Sequence, residues 1–191
     1  ALASLELVPG TGMLESQFLP KLLGAVAGLK LKSLTLTDLP SDSGTVDLSA
    51  LVKTTAAESL AIRFKYSFEF SESLIWTSVV DSIKESPVRK LAVEHRHLNS
   101  AAAAKQLVEA VLEMPSVEEF RATVKSEVCS ATLPLLSSPK LKGLSLRVEG
   151  KTNADSFVQA VGTNQVLERL ELEGELEFTQ STLGKLVEEN S

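Results

Sequence analysis

One pattern, apolar-x-x-apolar-x-apolar-x, returns seven times along this chain of 191 residues. It reads LASLELV at Leu2–Val8, LKSLTLT at Leu31–Thr37 and VRKLAVE at Val88–Glu94. It returns as VEEFRAT at Val117–Thr123, LKGLSLR at Leu141–Arg147 and LERLELE at Leu167–Glu173, with a weaker copy, AESLAIR, at Ala57–Arg63. Successive copies begin 29, 26, 31, 29, 24 and 26 residues apart. Self-similarity at a period of roughly 20 to 50 residues marks stacked units that cannot bury their apolar faces alone.

Within each copy apolar and polar residues alternate, as in Ser-Leu-Thr-Leu and Arg-Leu-Glu-Leu, which predicts a half-buried strand. Between the copies the apolar spacing changes to that of a helix. This predicts helices over Glu15–Gly28, Leu74–Ile83 and Ala101–Met114, and another around Phe157, Val158 and Val161. Ser71, Asn99 or Ser100, Asn153 and Thr179 stand where N-caps are expected. Pro87, Pro115 and Pro139 fall between helix and strand, where proline ends a helix at little cost. The unit is strand, connector, helix.

Two architectures share that unit. The opening Gly10-Thr-Gly12, between a strand and a helical segment with Asp38 ending the next strand, mimics a dinucleotide-binding turn. Glu15 stands at the third glycine position, where it would repel a pyrophosphate. The strands argue the same way. A doubly wound sheet is covered on both faces and reads as continuous apolar runs, whereas these strands have one apolar and one polar face. A parallel sheet covered on one side curves into an open arc.

L-x-x-L-x-L followed by a helix, at 24 to 31 residues, resembles the leucine-rich repeats of the ribonuclease-inhibitor-like class. The resemblance runs from Leu2 to Leu186. It implies an α/β horseshoe of about seven strand–helix repeats, with a parallel sheet on the concave face and helices on the convex face. One domain then spans residues 1–191. Members of that class commonly carry an Asn or Cys ladder after the strand. The matching positions here are Gly10, Leu39, Lys65, Arg96, Lys125, Glu149 and Glu175, so the ladder is missing and the chain reads as a divergent member. The resemblance implies a non-catalytic scaffold that binds a protein partner through the concave face. Some similar proteins activate GTPases from a rim loop, and Arg96 is the one candidate for that role.

Side chains alternate across a strand, so the polar positions among the leucines face the concave side. They are small and mostly neutral in the first three repeats and charged from the fourth onward. The candidate partner-binding residues are Arg63, Lys90, Glu94, Glu119, Arg121, Arg147, Arg169, Glu171 and Glu173. Glu119, Arg121, Arg147, Arg169 and Glu171 are expected to form one mixed-charge patch. Either these charges solvate the exposed sheet and pair with one another, or they dock a partner, with the arginines as anchors.

A net charge of −6 without any basic block argues against nucleic acid, and no apolar run approaches a membrane span. A single cysteine, Cys129, and no N-x-Ser/Thr sequon fit a reducing, intracellular and cytoplasmic setting. No cofactor motif is present. His95 and His97 share one side of a segment expected just past the fourth strand, but lack the further ligands of a zinc site. Cys129 falls in SEVCSATLPLL, expected to be an amphipathic helix with the thiol buried. Glu171, Glu173, Glu175 and Glu177 read as a solvated acidic edge. The missing initiator Met and the absence of polar caps at either end point to a fragment of a longer protein, or to self-association.

In IRFKYSFEF, Ile62–Phe70, aromatic rings fall on every second residue. Tyr66 and Phe68 are either packing beneath the sheet or a second, exposed binding edge.

Overall fold

The computed structural model describes residues 4–8, 21, 25–26, 29, 31–37, 57–64, 80–81, 83–84, 87–95, 100–162 and 164–179. Seven strands fall on the seven copies of the pattern. They are β1 (Ser4–Leu7), β2 (Ser33–Thr37), β3 (Ser59–Phe64), β4 (Lys90–His95), β5 (Glu119–Lys125), β6 (Gly143–Asn153) and β7 (Arg169–Glu177). All pair in parallel and in chain order, giving an open α/β sheet with the layout of a solenoid-like arc.

The pairing is in phase. Ser4, Ser33, Ser59, Lys90, Glu119, Gly143 and Arg169 lie side by side in one row across the sheet. The next row is Leu5, Leu34, Leu60, Leu91, Phe120, Leu144 and Leu170. A one-residue slip would turn the apolar row to the other face, so alternation pins the register. Leu34, Leu60, Leu91, Phe120 and Leu144 are buried, and Leu5 and Leu170 on the outermost strands are half-buried. Full burial of each such side chain contributes about 1.5–3 kcal/mol.

One face of this sheet is covered. Helix α1 (Ala101–Glu113) starts at Ser100, whose hydroxyl accepts the Ala103 N–H, and buries Ala103, Ala104, Leu107, Val108, Ala110 and Val111. That helical spacing turns small alanines and branched side chains into the core that the strands share. Helix α2 (Asp155–Val161) buries Phe157. Its cap is Ala154, one residue after the Asn153 that the sequence suggests, and Asn153 Oδ1 accepts the Asp155 N–H. Helical backbone is also found at 80–81 and 83–84.

The segment carrying Cys129 corrects an expectation. Ser126–Ser137 is a 3₁₀ helix, not an amphipathic α-helix. It belongs to the shortest repeat and contains Pro134. A 3₁₀ helix rises about 2.0 Å per residue against about 1.5 Å for an α-helix. At those rises the twelve residues span about 24 Å, more than the roughly 20 Å of the thirteen in α1. His95 also differs: it is the last residue of β4, paired with Phe64, rather than part of a rim turn.

Two sets of hydrogen bonds join consecutive repeats where a side-chain ladder is missing. Just before each strand, a carbonyl accepts from the next repeat: Glu58 O from Arg89 and Lys90, Arg89 O from Glu118 and Glu119, Glu118 O from Lys142 and Gly143. On the covered side, Lys140 Nζ donates to Leu112 O (3.2 Å) and Met114 O (2.8 Å), reaching back to the C-terminal end of α1. Asn164 Nδ2 likewise donates to Leu136 O, while its Oδ1 accepts from Val166 N and Leu167 N.

At the far end β6 and β7 run longer than the other strands, and their register shifts between Arg147 and Lys151. Gly174 takes φ +143° there, and a Cβ on it would collide with the Val148 carbonyl oxygen. The β6–β7 extension therefore depends on that glycine.

Candidate functional site: the open face of the sheet

The face turned away from the helices carries three parallel rows of polar positions. The register places Ser59, Lys90, Glu119, Gly143 and Arg169 in the first, Ala61, Ala92, Arg121, Ser145 and Glu171 in the second, and Arg63 beside Glu94 and Arg147 beside Glu173 in the third. Equivalent positions on neighbouring strands lie about 4.8 Å apart. Every charged candidate residue is thus on one surface, held by strands whose alternate residues are anchored in the core.

Glu119, Arg121, Arg169 and Glu171 of the expected patch line one cleft, but the charges of this face are not joined into one network. They form two linked chains and leave two arginines outside both. In the first chain Arg63 Nε donates to Glu94 Oε2 at 2.9 Å, and Arg63 Nη1 stands 3.8 Å from Glu6 Oε1. Thr37 Oγ1 also donates to Glu6, at 3.1 Å. In the second chain Lys90 Nζ meets Glu119 Oε1 at 2.7 Å and Arg169 Nη2 meets Glu119 Oε2 at 3.3 Å. Arg169 Nε then lies 3.7 Å from Glu171. Arg121 and Arg147 form no ion pair among the described residues. Glu173 is the register neighbour of Arg147 but no ion pair joins them.

Between the strands β3 and β7 the face sinks into a cleft of about 290 Å³. Its depth comes from missing side-chain volume. Ser59, Ala92, Gly143 and Ser145 line it where longer residues stand elsewhere in the same rows. Its walls are Lys90, Glu119, Arg121, Arg169 and Glu171. Gly143 matters most: a Cβ there would meet Glu119 Cγ at 3.3 Å and Arg169 Nη2 at 3.4 Å.

A second row of charge lies along the edge where the strands begin. Lys32, Glu58, Arg89, Glu118, Lys142 and Glu168 alternate in sign, one per repeat. Arg89 Nη2 and Nε donate to Glu118 Oε1 at 2.6 and 3.1 Å, and Lys142 Nζ stands 3.7 Å from Glu118 Oε2. The Arg89 hydrogen bond holds the Glu118 carboxyl below the usual carboxylate range, and the same contact raises the Arg89 guanidinium. This row was readable in the second position of every copy from Leu31 onward, yet the strand-centred reading passed over it.

Cys129 is buried, and burial pushes its thiol up, against smaller opposing effects from Thr152 and Thr132. Among the described residues no three His, Cys, Asp or Glu side chains cluster as metal ligands, and none of the helices is long and apolar enough to cross a membrane. Tyr66, Phe68, Arg96, His97 and the Gly10–Glu15 turn lie outside the described residues.

No protein-family model matches the chain, and the search of curated proteins returned no match.

Proposed function

We propose that the chain is a leucine-rich-repeat interaction module that docks a protein partner on the open face of its sheet and performs no chemistry itself. The observation that carries this reading is the cleft over β4–β6, with Arg121 and Arg147 outside the ion-pair chains that hold the neighbouring cations. Arginine is enriched among the side chains that dominate interface energies, and partly buried small residues beside it leave room for a partner atom. The repeated strand–helix unit, in phase over seven strands, supports the repeat assignment. The lone buried Cys129 supports residence in a reducing compartment.

The test is a partner captured by the wild-type chain and assayed against Arg121→Glu and Arg147→Glu. Reversal of a central interface charge is expected to weaken binding at least tenfold, mainly through faster dissociation, with the melting temperature unchanged. Full affinity in both variants rejects the proposal.

A further inference from the structure

The charges lining the cleft identify the group that fits it, an inference that rests on the docking reading above. We propose that the cleft seats one carboxylate side chain, aspartate or glutamate, from the partner protein, and that Arg121 binds it.

Lys90, Arg121 and Arg169 line the cleft against Glu119 and Glu171, so its lining carries one net positive charge. Four of these five are already joined. Glu119 is shared by Lys90 and Arg169, and Arg169 also approaches Glu171. That chain is neutral as a whole, so the remaining charge belongs to Arg121. A single monoanion cancels it. A phosphoryl group carries about −1.5 to −2 near neutral pH. It would overshoot the available charge and face Glu119 and Glu171 at close range.

Geometry agrees with charge. The register neighbours of Arg121 are Ala92 and Ser145. Neither side chain is long enough to cover a guanidinium, and the Ser145 hydroxyl supplies a further donor beside it. The guanidinium fork matches the two oxygens of a carboxylate in one plane. At about 290 Å³ the cleft is at the lower end of the range typical of ligand pockets, which fits one inserted side chain better than a whole small molecule. Arg147, diagonal to Arg121 on β6, adds positive potential over the entry.

The experiment uses the whole chain with labelled arginine side chains, titrated with capped tetraglutamate and followed by NMR at the Nε–H groups. Saturable shifts are expected at Arg121 and at the Ser145 amide, with at least a tenfold loss of affinity in Arg121→Gln and no loss in Arg63→Gln. No saturable shift at Arg121, or an equal response to capped tetralysine, overturns the proposal. A phosphoserine peptide of the same length that binds through Arg121 tenfold more tightly than tetraglutamate also overturns it, in favour of a phosphate site. Ala92→Trp, which fills the cleft, separates this inference from the docking reading. Partner binding lost in Ala92→Trp but intact in Arg121→Gln removes the carboxylate and keeps the docking face. Binding intact in both removes the two together.

Discussion

Arg169 on β7 reaches over the whole width of β6 to Glu119 on β5, closing to 3.3 Å above Gly143. The contact exists because residue 143 has no side chain in the row that separates its partners. Arg63 makes a similar two-strand reach over β2 to Glu6, at 3.8 Å. These long spans tie repeats that do not touch directly, and the Arg169–Glu119 span forms part of the wall of the cleft.

The Glu119–Arg169 pair is expected to be weak but dependent on Gly143. Both side chains are substantially exposed, 37 % and 57 %, so solvent screens the attraction and a coupling of about 0.2–1 kcal/mol is expected. A double-mutant cycle on Glu119→Gln and Arg169→Gln measures it. Repeating the cycle with valine at position 143 should bring the coupling to zero, because the added methyls occupy the space between the two groups. A coupling that survives Gly143→Val would mean that the pair does not need the gap.

The covered side makes a different prediction. Lys140 offers a charged donor to two carbonyls at the end of α1, where the helix dipole is negative and the last carbonyls lack helical partners. Lys140→Met keeps the aliphatic stem and loses both bonds, at a cost of about 1–2 kcal/mol. Hydrogen exchange should quicken in the last turn of α1 and little elsewhere. At Asn164 the two roles can be separated. Asn164→Asp keeps the acceptor for Val166 and Leu167 but loses the donor to Leu136 O, so it should cost less than Asn164→Ala. Equal losses would assign the whole effect to one of the two contacts.

The sheet was largely legible because its cause is local. Leu34, Leu60, Leu91 and Leu144 recur at one position of a short pattern, and alternation alone states which face each will occupy. The face on which Arg121 and Glu119 stand followed from the same parity. The pairing of those charges did not follow. Whether Arg169 chooses Glu119 or Glu171, and whether Arg147 chooses Glu173, depends on rotamers of long side chains and, for Arg169, on the space left by Gly143 on the strand between it and Glu119. The 3₁₀ winding of Ser126–Ser137 was equally hidden. Its apolar spacing fits either helix, and the choice follows from the length that a short repeat must cover. The staples from Lys140 and Asn164 join residues 26 to 28 positions apart through main-chain acceptors, which leave no trace in side-chain pattern.

The Arg89–Glu118 contact predicts a dependence on pH. The Glu118 carboxyl is held below its usual range in the folded chain, chiefly by the Arg89 hydrogen bond. The unfolded chain, with an ordinary carboxyl, takes up the proton first as pH falls. The stability contributed by the pair is therefore complete above the unfolded carboxyl's pKa and is lost as pH falls through the depressed folded value. Denaturant unfolding of wild type and Glu118→Gln should differ at neutral pH and converge in acid. Added salt at neutral pH should shrink the difference as well, since Arg89 is 59 % exposed. A difference that does not change between neutral and acid conditions would exclude the ion pair as its source.

Cys129 reports on the 3₁₀ segment from inside. The thiol is buried and its pKa is raised, which lowers the thiolate fraction, and Thr132 Oγ1 donates to the Cys129 carbonyl at 2.7 Å within the same turn. Only the thiolate reacts readily with disulfide reagents, so the native chain should be labelled orders of magnitude more slowly than the denatured chain. Labelling then requires the segment to open. Val128, Leu135 and Leu136 are buried with Cys129, so opening exposes a block of core and should be rare. Thr132→Val keeps the volume of the side chain and removes the hydroxyl bond to the turn. It should accelerate labelling several-fold while leaving the global unfolding midpoint nearly unchanged, because local opening and global unfolding differ in free energy. Labelling of the native wild-type chain at the denatured rate would contradict the buried placement of the thiol.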